Sequence, residues 1–333
     1  MLNCIQVGIV LLPVLLSVAF VTLAERKVMG SIQWRVGPNV VGYYGLLQPV
    51  ADALKLLLKE TIIPIHSNKV LFFLGPSIAL VFALMGWGII PWNSGITLWD
   101  FDLGILFSLA ISSLGVYGIL IGGWASNSKY ALLGSLWSTA QLISYELVLT
   151  SIVFVVVLLS GSFNFTHIIE EQKAIWFVLP LFPLFILFFI GALAETNWAP
   201  FDLPEAESEL VAGFMTEYSA AIFVFFFLAE YANIILISTL AAIFFLGGYL
   251  LPFELHFLPN GLDVLVQGLL SGLILGLKVA GIIFLFVWVW SSFPRIWYDQ
   301  LLVLCWTVLL PLLFAWIFLV LAILFSFNSF IHF

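Results

Sequence analysis

The sequence predicts an all-α integral membrane protein with about eight transmembrane helices, and three observations support this fold class. Hydrophobic residues make up 63% of the 333 residues, whereas soluble domains contain roughly 45–50%. Charged residues account for only 8% of the chain. The apolar residues also fall into runs that reach the roughly 20 residues needed to cross a bilayer as a helix. The lipid bilayer is therefore the solvent for most of this chain.

Polar or turn-forming segments separate the apolar runs. No basic residue and no small-residue cleavage site accompanies the first run, so we interpret it as a retained span and not as a signal peptide. No repeat of domain length is visible, and residues 1–333 are treated as one domain. The predicted spans cover residues 2–24, 70–90, 102–124, 137–160, 175–195, 218–247, 272–292 and 302–329.

The distribution of basic residues predicts the orientation in the membrane. Eight spans place both termini on one side, and Lys173 falls on that side, while Lys278 falls near the start of the seventh span. The positive-inside rule assigns the basic side to the cytoplasm or, in an organelle, to the matrix. The residues on that side, opposite the termini, are Arg26, Lys27, Arg35, Lys55, Lys59, Lys69, Lys129 and Arg295.

The first loop is predicted to contain an amphipathic helix at residues 46–60. Apolar residues recur there with near-helical spacing, while Asp52, Lys55 and Lys59 share a polar face. This pattern is typical of a helix that lies at the membrane interface. A solvated loop helix is the alternative interpretation.

Charge is concentrated in the acidic loop, residues 195–217. Asp202 is predicted to cap a helix, with Pro204 in its first turn and Glu205 completing a capping box. A helix N-terminus stabilises nearby carboxylates by about 0.3–1 kcal/mol, which explains Asp202 and Glu205. Three further carboxylates between residues 195 and 209 have no such local reason and therefore point to function: Glu195, Glu207 and Glu209.

Three more carboxylates continue this series in and beside the spans. Glu146 lies inside the fourth span, Glu217 lies at the edge of the sixth, and Glu230 lies near the middle of the sixth. An ionised carboxylate in lipid costs several kcal/mol unless it is paired or hydrated. Buried carboxyl groups that lie close together can also exchange protons near neutral pH. We predict a proton path, and an interhelical hydrogen bond from a protonated glutamate is the alternative for each residue.

Other kinds of site have little support in the sequence. Cys4 and Cys305 are isolated, and the four histidines lie near predicted membrane edges or in loops, so we expect neither disulfides nor zinc or haem sites. The basic residues are scattered without an aromatic and basic stripe, which argues against nucleic-acid binding. The histidines are His66, His167, His256 and His332.

Opposite charges meet at the end of the first span, in the run Ala24-Glu25-Arg26-Lys27. We interpret Lys27 as an interfacial anchor, the usual role of a lysine at a membrane edge. Further along, Gly37-Pro38 is a turn signal that would fix Arg35 beside the interfacial helix.

Together these motifs resemble the subunit 1 family of respiratory complex I, NADH:ubiquinone oxidoreductase. The resemblance covers nearly the whole chain. The motifs that carry it are Ala24-Glu25-Arg26-Lys27, Arg35-Val36-Gly37-Pro38-Asn39, Gly45-Leu46-Leu47-Gln48-Pro49 with Asp52, Lys55 and Lys59-Glu60, Ser126-Asn127-Ser128-Lys129-Tyr130, Gln141 through Glu146, the acidic loop, Glu230-Tyr231-Ala232-Asn233, and Pro294-Arg295 with Tyr298-Asp299-Gln300.

The resemblance implies a subunit with ubiquinone as substrate and no redox centre of its own. NADH, FMN and the iron–sulfur clusters would be bound by partner subunits. This chain would form a quinone chamber with peripheral-arm subunits and couple quinone reduction to proton translocation by adjacent membrane-arm subunits. Its surroundings would be the lipids of the mitochondrial inner membrane, with the termini on the intermembrane-space side, or those of a bacterial plasma membrane.

The resemblance also assigns roles to individual residues. The interfacial helix and the first and sixth spans would frame a lipid-side entrance. The implied chamber residues are Glu25, Arg26, Arg35, Asp52 and Arg295. The implied coupling residues are Glu146, Glu195, Asp202, Glu205, Glu207, Glu209, Glu217 and Glu230.

The chain departs from the family pattern at four positions, where tryptophan stands in place of the family's usual arginine. The arginine codon CGG and the tryptophan codon UGG differ by one base. A shared cause, such as transcript editing, an unusual codon assignment or a mistranslated gene record, would therefore explain all four positions. We predict that some or all of these residues are arginine in the working protein: Trp137, Trp198, Trp290 and Trp297.

Two other functions stay open from the sequence. A membrane-bound hydrogenase has a similar quinone-site-like subunit, and nickel in place of flavin in the assembly would favour it. A proton-coupled secondary transporter would show repeat symmetry and a midplane site. A purely structural anchor leaves Glu146 and Glu230 unexplained.

Overall fold

A computed structural model describes residues 2–93, 95–202, 210–251 and 264–327. In these ranges the chain is helical, without strands beyond a single bridge between Asn93 and Ile96. Seven helices within the described residues are long and apolar enough to cross a membrane, and one further apolar helix is shorter. The predicted class, an all-α integral membrane protein, is confirmed.

The helices are labelled in chain order, with the last one containing a π-helical segment at Leu304–Leu309. Short 3-10 segments at Tyr43–Gly45, Gly86–Ile89 and Gly213–Met215 lie between them. The helices are α1 (Leu2–Ile32), α2 (Gln48–Leu58), α3 (Lys69–Met85), α4 (Gly104–Ala125), α5 (Lys129–Ser160), α6 (Phe165–Glu171), α7 (Phe182–Glu195), α8 (Ala220–Phe245), α9 (Val264–Ser292) and α10 (Tyr298–Ser326).

Several helices extend past the limits predicted from hydropathy. α1 continues beyond residue 24 to Ile32, so its terminal charged residues are helical. α9 begins at Val264, which places Lys278 in the middle of the helix and not near its start. There the Lys278 ammonium donates to the carbonyl oxygens of Leu246, Gly248 and Leu250 at 2.6–2.8 Å. For α1 the hydropathy limit fell short because the helix runs on into charged residues that have partners in the fold.

The fifth predicted span, residues 175–195, is shorter in the structure. α7 begins only at Phe182 and has 14 residues, a length of about 21 Å at 1.5 Å per residue. That is less than the roughly 30 Å of a bilayer core. Pro183 lies in the first turn of α7 and Pro180 precedes it. Proline lacks an amide donor and disfavours helical geometry in the residue before it, so the helix does not begin earlier.

Small residues bring α3 and α4 into close contact. A Cβ atom at Gly118 of α4 would lie 2.7 Å from the Ala79 nitrogen of α3, and one at Gly75 would lie 2.9 Å from the Gly122 Cα. Each helix therefore presents two small residues, four apart, to the other, an arrangement that lets helix backbones approach in membranes. α3 also packs against α8, and α5 packs against α4, α7 and α10.

The helix predicted in the first loop is present as α2, which contacts both α1 and α8, and its position at the membrane interface stays a prediction. Pro49 stands in its first turn, where the missing amide hydrogen costs no bond. Beyond α2 the chain passes the start of α8, where the Ile62 amide donates to Ser219 Oγ at 3.0 Å. The Asn68 amide likewise donates to the Ala125 carbonyl at 3.1 Å. The ends of α1, α4 and α8 thus lie on one face of the protein.

Candidate functional site

Two of the predicted chamber residues form an ion pair between α1 and α2. Arg26 Nη1 lies 2.8 Å from Asp52 Oδ2. The other carboxylate oxygen, Oδ1, accepts a hydrogen bond of 2.9 Å from Gln48 Nε2, one helical turn earlier. Both side chains of the ion pair keep more than a third of their surface exposed. Asp52 is therefore fixed in direction by two donors while it stays accessible at the protein surface.

The other two basic residues near α1 have different partners. Arg35 is exposed, and its Nε donates to Gln33 Oε1 at 2.9 Å, so the structure does not join it to Asp52. Lys27 donates to the carbonyl oxygen of Tyr44, in the turn before α2. The interpretation of Lys27 as an interfacial anchor stays a prediction, and the structure adds this contact with the turn.

Glu25 is deeply buried, with 5% of its surface exposed. Its Oε2 accepts a hydrogen bond of 2.6 Å from the Tyr231 hydroxyl on α8. A buried carboxyl needs such a donor, because an unpaired one loses its hydration without compensation. Glu25 therefore faces the inside of the helix bundle, whereas its neighbour Arg26 faces α2.

A second ion pair joins the acidic loop to the segment before α10. Arg295 Nη2 lies 3.1 Å from Asp202 Oδ2. The Ile296 amide donates to the Pro200 carbonyl at 3.0 Å and reinforces this contact. Gln141 on α5, fully buried, holds the other side of the loop by donating to the carbonyls of Ala194 and Phe201 at 2.8 and 2.9 Å. The start of the acidic loop is thereby fixed between α5 and the α9–α10 connection.

Three of the predicted coupling carboxylates line one cavity, which we call the carboxylate cavity. Glu146 comes from α5, Glu195 from the end of α7, and Glu230 from the middle of α8. The cavity has a volume of about 140 Å³, while a single water molecule needs about 10–15 Å³ by this measure. It is large enough for several water molecules between the carboxyl groups.

Polar groups surround these carboxyl groups. Ser113 Oγ donates to Glu146 Oε1, and Ser112 Oγ lies 3.4 Å from the same oxygen. Glu195 Oε2 and Asn197 Oδ1 are buried without a hydrogen-bond partner in the described part of the chain, and both residues line the cavity. Buried polar atoms of this kind are commonly satisfied by ordered water. The cavity can therefore hold a hydrated cluster of proton-exchanging groups.

The remaining coupling residues are not brought to this cavity. Glu217 lies between the 3-10 segment Gly213–Met215 and α8 and does not line it. Asp202 is paired with Arg295 instead. Three predicted residues, and the helix start with its capping box at Pro204, lie outside the described residues: Glu205, Glu207 and Glu209.

Sequence reasoning missed the partners of these carboxylates. Tyr231 appeared only as the neighbour of Glu230, although it binds a residue 206 positions away. Ser112, Ser113 and Asn197 carried no signal, because serine and asparagine are common in transmembrane helices and turns. The pairing of small polar residues with a carboxylate is a property of helix packing and does not show in the spacing of either segment.

Aromatic side chains occupy the four positions predicted to carry arginine. The Trp198 ring, 5% exposed, lies 4.9 Å from the Trp290 ring and 6.2 Å from that of Tyr231. Trp137 stacks on Tyr298 at 5.5 Å, and Trp297 is exposed. The identity of these side chains in the working protein stays a prediction. Within the described residues, no group of three His, Cys, Asp or Glu side chains could hold a metal ion.

Comparison with known proteins gives matches along almost the whole chain. The sequence profile of the family described as NADH dehydrogenase matches residues 5–321. NADH-ubiquinone oxidoreductase chain 1 of Mycosarcoma maydis is 58% identical over 326 residues, covering 98% of this chain and 97% of that protein. The protein of the same name from Yarrowia lipolytica is 52% identical and covers 99% of this chain and 98% of its own length.

A bacterial protein is also similar. An NADH-quinone oxidoreductase subunit of Paramagnetospirillum magneticum is 50% identical over 324 residues, which cover 97% of this chain and 92% of that protein. These identities favour the oxidoreductase over the hydrogenase and transporter alternatives. The chain therefore belongs to the NADH dehydrogenase family, and it is a core membrane subunit of NADH:ubiquinone oxidoreductase.

Proposed function

We propose that this subunit forms the ubiquinone-binding chamber together with peripheral-arm subunits and couples quinone reduction to proton translocation in the membrane arm. The observation that carries the proposal is the carboxylate cavity, which Glu146, Glu195 and Glu230 line from three different helices. Intramembrane carboxyl groups are costly and are typical of proton relays. A structural role alone would not require three of them around a cavity with room for water.

The chamber itself is proposed to lie at the face where α1, α2 and α8 meet. Reduction of a quinone to a quinol takes up two electrons and two protons, so its head group needs polar and proton-exchanging neighbours. The Arg26–Asp52 pair and the Arg295–Asp202 pair supply such groups. The apolar surfaces of α1 and α8 suit the isoprenoid tail. We assign the redox centres that supply the electrons to partner subunits. The sites for NADH, FMN and the iron–sulfur clusters are assigned to the same subunits.

The link between chamber and cavity is proposed to run through Glu25 and Tyr231. Glu25 adjoins Arg26 in α1, and Tyr231 adjoins Glu230 in α8. A tyrosine hydroxyl both donates and accepts hydrogen bonds. A change of charge at the Arg26–Asp52 pair therefore alters the electrostatic potential at Glu25 first. The 2.6 Å hydrogen bond from Tyr231 then transmits this effect to α8.

The acidic loop is proposed to form the floor of the chamber and the entry to the cavity. Asp202 supports this role through its bond to Arg295, and Glu195 supports it because the loop begins where the cavity is lined. We extend the proposal to Glu217 and to the three loop carboxylates outside the described residues: Glu205, Glu207 and Glu209.

Other subunits of the complex are the partners of this chain. We propose that the quinone-site subunits of the peripheral arm contact the face that carries α2, and that membrane-arm subunits continue the path from the cavity. The basic residues at this face support its assignment to the matrix side of a mitochondrial inner membrane. With α7 counted as a crossing beside the seven long helices, both termini lie on the intermembrane-space side.

A density map of the intact complex with bound ubiquinone tests this proposal. We expect head-group density within hydrogen-bond distance of the chamber residues and tail density between α1, α2 and α8. Quinone density that contacts neither the Arg26–Asp52 pair nor the Arg295–Asp202 pair would overturn the chamber assignment.

A further inference from the structure

Two adjacent basic residues near the end of α1 bind the chain around the start of α2 at two separate points. Arg26 binds Asp52 in α2 at 2.8 Å. Lys27 donates from its ammonium to the carbonyl oxygen of Tyr44, four residues before α2 begins, and also lies 5.7 Å from the centre of the Tyr44 ring. Successive side chains on a helix point about 100° apart, so neighbouring residues can serve both points.

The turn held by Lys27 has an unusual backbone conformation. Tyr44 has a φ of 53° and stands between Gly42 and Gly45, both with a φ of 74°. A residue other than glycine rarely adopts this left-handed region. At Gly45 a Cβ atom would lie 2.2 Å from the Pro38 carbonyl oxygen, so only glycine fits there. Such a conformation persists only where its surroundings fix it.

Burial does not fix this turn, since the Tyr43 and Tyr44 side chains are both largely exposed. Its backbone bonds are long, at 3.2 Å from the Leu46 amide to the Tyr43 carbonyl and from the Leu47 amide to the Val41 carbonyl. The charged hydrogen bond from Lys27 is stronger than these neutral ones. The Lys27 ammonium is thus the main side-chain contact that holds the turn.

The stem of Lys27 is itself fixed in direction. A Cβ atom at Gly37 would lie 3.0 Å from the Lys27 Cα and 3.2 Å from its Cγ, so the chain crosses directly over this side chain. The Arg35 amide donates to the Gly30 carbonyl at 2.8 Å and keeps the crossing segment on α1. Lys27 is therefore directed toward the turn.

We infer that Lys27 is a positioning residue for quinone access. It sets the point at which α2 begins, Arg26 sets the rotation of α2 through Asp52, and together they hold α2 against α1 and α8. The inference rests on the proposed function of these three helices as the frame of the quinone entrance. Lys27 itself touches neither the quinone nor the reacting groups.

The test compares the intact complex carrying Lys27→Met, Lys27→Arg or Lys59→Met. Lys59→Met removes one exposed positive charge at the end of α2 and serves as the control. Hydrogen exchange at the amides of Leu46 and Leu47 should be about tenfold faster in Lys27→Met, as expected for loss of one hydrogen bond from a charged donor. Lys27→Arg should restore most of the protection, and Lys59→Met should leave exchange unchanged.

Steady-state kinetics give the second measurement. In Lys27→Met the apparent KM for a long-tailed quinone should rise, while kcat with a short-tailed quinone and NADH oxidation by a hydrophilic acceptor stay the same. Unchanged exchange at Leu46 and Leu47 would overturn the role of Lys27. Faster exchange with unchanged kinetics at every tail length would confirm that Lys27 holds the turn and would overturn the entrance assignment of α2.

A further variant covers the case in which Lys27→Met prevents assembly. Gly45→Ala forces a Cβ atom toward the Pro38 carbonyl while Lys27 stays intact. It should raise the KM for the long-tailed quinone in the same way. A complex with Gly45→Ala that binds long-tailed quinone normally would overturn the inference.

Discussion

Tyr231 on α8 donates a hydrogen bond of 2.6 Å to Glu25 on α1. Each residue stands next to one with a proposed role, because Arg26 follows Glu25 and Glu230 precedes Tyr231. This hydrogen bond therefore joins the helix that carries Arg26 to the helix that carries Glu230. The proposed coupling depends on this short connection between two helices that lie far apart in the sequence.

Replacing Tyr231 by phenylalanine removes this bond and keeps the ring. The buried Glu25 then lacks its donor, which costs about 1–3 kcal/mol. We expect a lower melting temperature of the complex together with reduced NADH:ubiquinone turnover. Tyr218→Phe is the matched control, because it removes a hydroxyl that bonds the Gly122 carbonyl at 2.9 Å. Equal turnover in the two variants, measured at equal complex content, would count against a relay through Tyr231.

Substitution of Asp52 should affect kinetics more than assembly. An exposed ion pair contributes only about 0–1 kcal/mol to stability, so the complex should still form in Asp52→Ala. We expect a raised apparent quinone KM or a lower turnover, because Arg26 loses its partner at the proposed entrance. Asp100→Ala is a suitable control, since Asp100 is an exposed carboxylate that binds Asn164 at 2.9 Å. If Asp52→Ala has the same quinone KM and turnover as wild type, with both short-tailed and long-tailed quinones, the chamber role of Asp52 is contradicted.

Because α3 and α4 pack closely, a larger side chain between them should lower the stability of the protein. Gly118→Ala places a methyl group 2.7 Å from the Ala79 backbone nitrogen, and overpacking of this kind costs about 1–3 kcal/mol. We expect less assembled complex on native gels. Gly115→Ala, one turn earlier in α4, adds the same group where nothing lies within 4 Å. Normal assembly of Gly118→Ala would show that the two helices separate more easily than this packing implies.

Peptide mass spectrometry of the purified subunit tests the prediction about the four tryptophans. We expect arginine masses at some or all of positions 137, 198, 290 and 297. An arginine at 198, within the acidic loop, would lie beside the Tyr231 and Trp290 rings. Indole masses at all four positions would reject the prediction.

The sequence predicted the fold class and most helices because hydropathy depends only on local composition. α2 was predicted within two residues at each end, at 46–60 against Gln48–Leu58, since its polar and apolar faces alternate with helical period. The start of α7 was missed, because the apolar residues before Pro183 read like a span although proline prevents a continuous helix. The position of Lys278 was missed because its carbonyl partners come from another helix end.

The candidate site was predictable only in part. Carboxylates in apolar segments stand out by composition, and Glu146 and Glu230 were found in this way. Their convergence with Glu195 on one cavity depends on how α5, α7 and α8 pack, and no spacing in the sequence reveals it. The Tyr231–Glu25 bond and the Lys27–Tyr44 contact were missed for the same reason.

In the proposed mechanism, the carboxylate cavity couples quinone reduction to proton movement. The most direct test is the number of protons translocated per NADH oxidised in proteoliposomes that contain complex with Glu230→Gln. Glu170→Gln is the matched control, because Glu170 is an exposed carboxylate paired with Lys173 at 3.6 Å. We predict that Glu230→Gln lowers this ratio or the coupled turnover at normal complex content, while Glu170→Gln changes neither. Wild-type turnover together with a wild-type proton ratio in the Glu230→Gln complex would show that the carboxylate cavity does not couple the two processes.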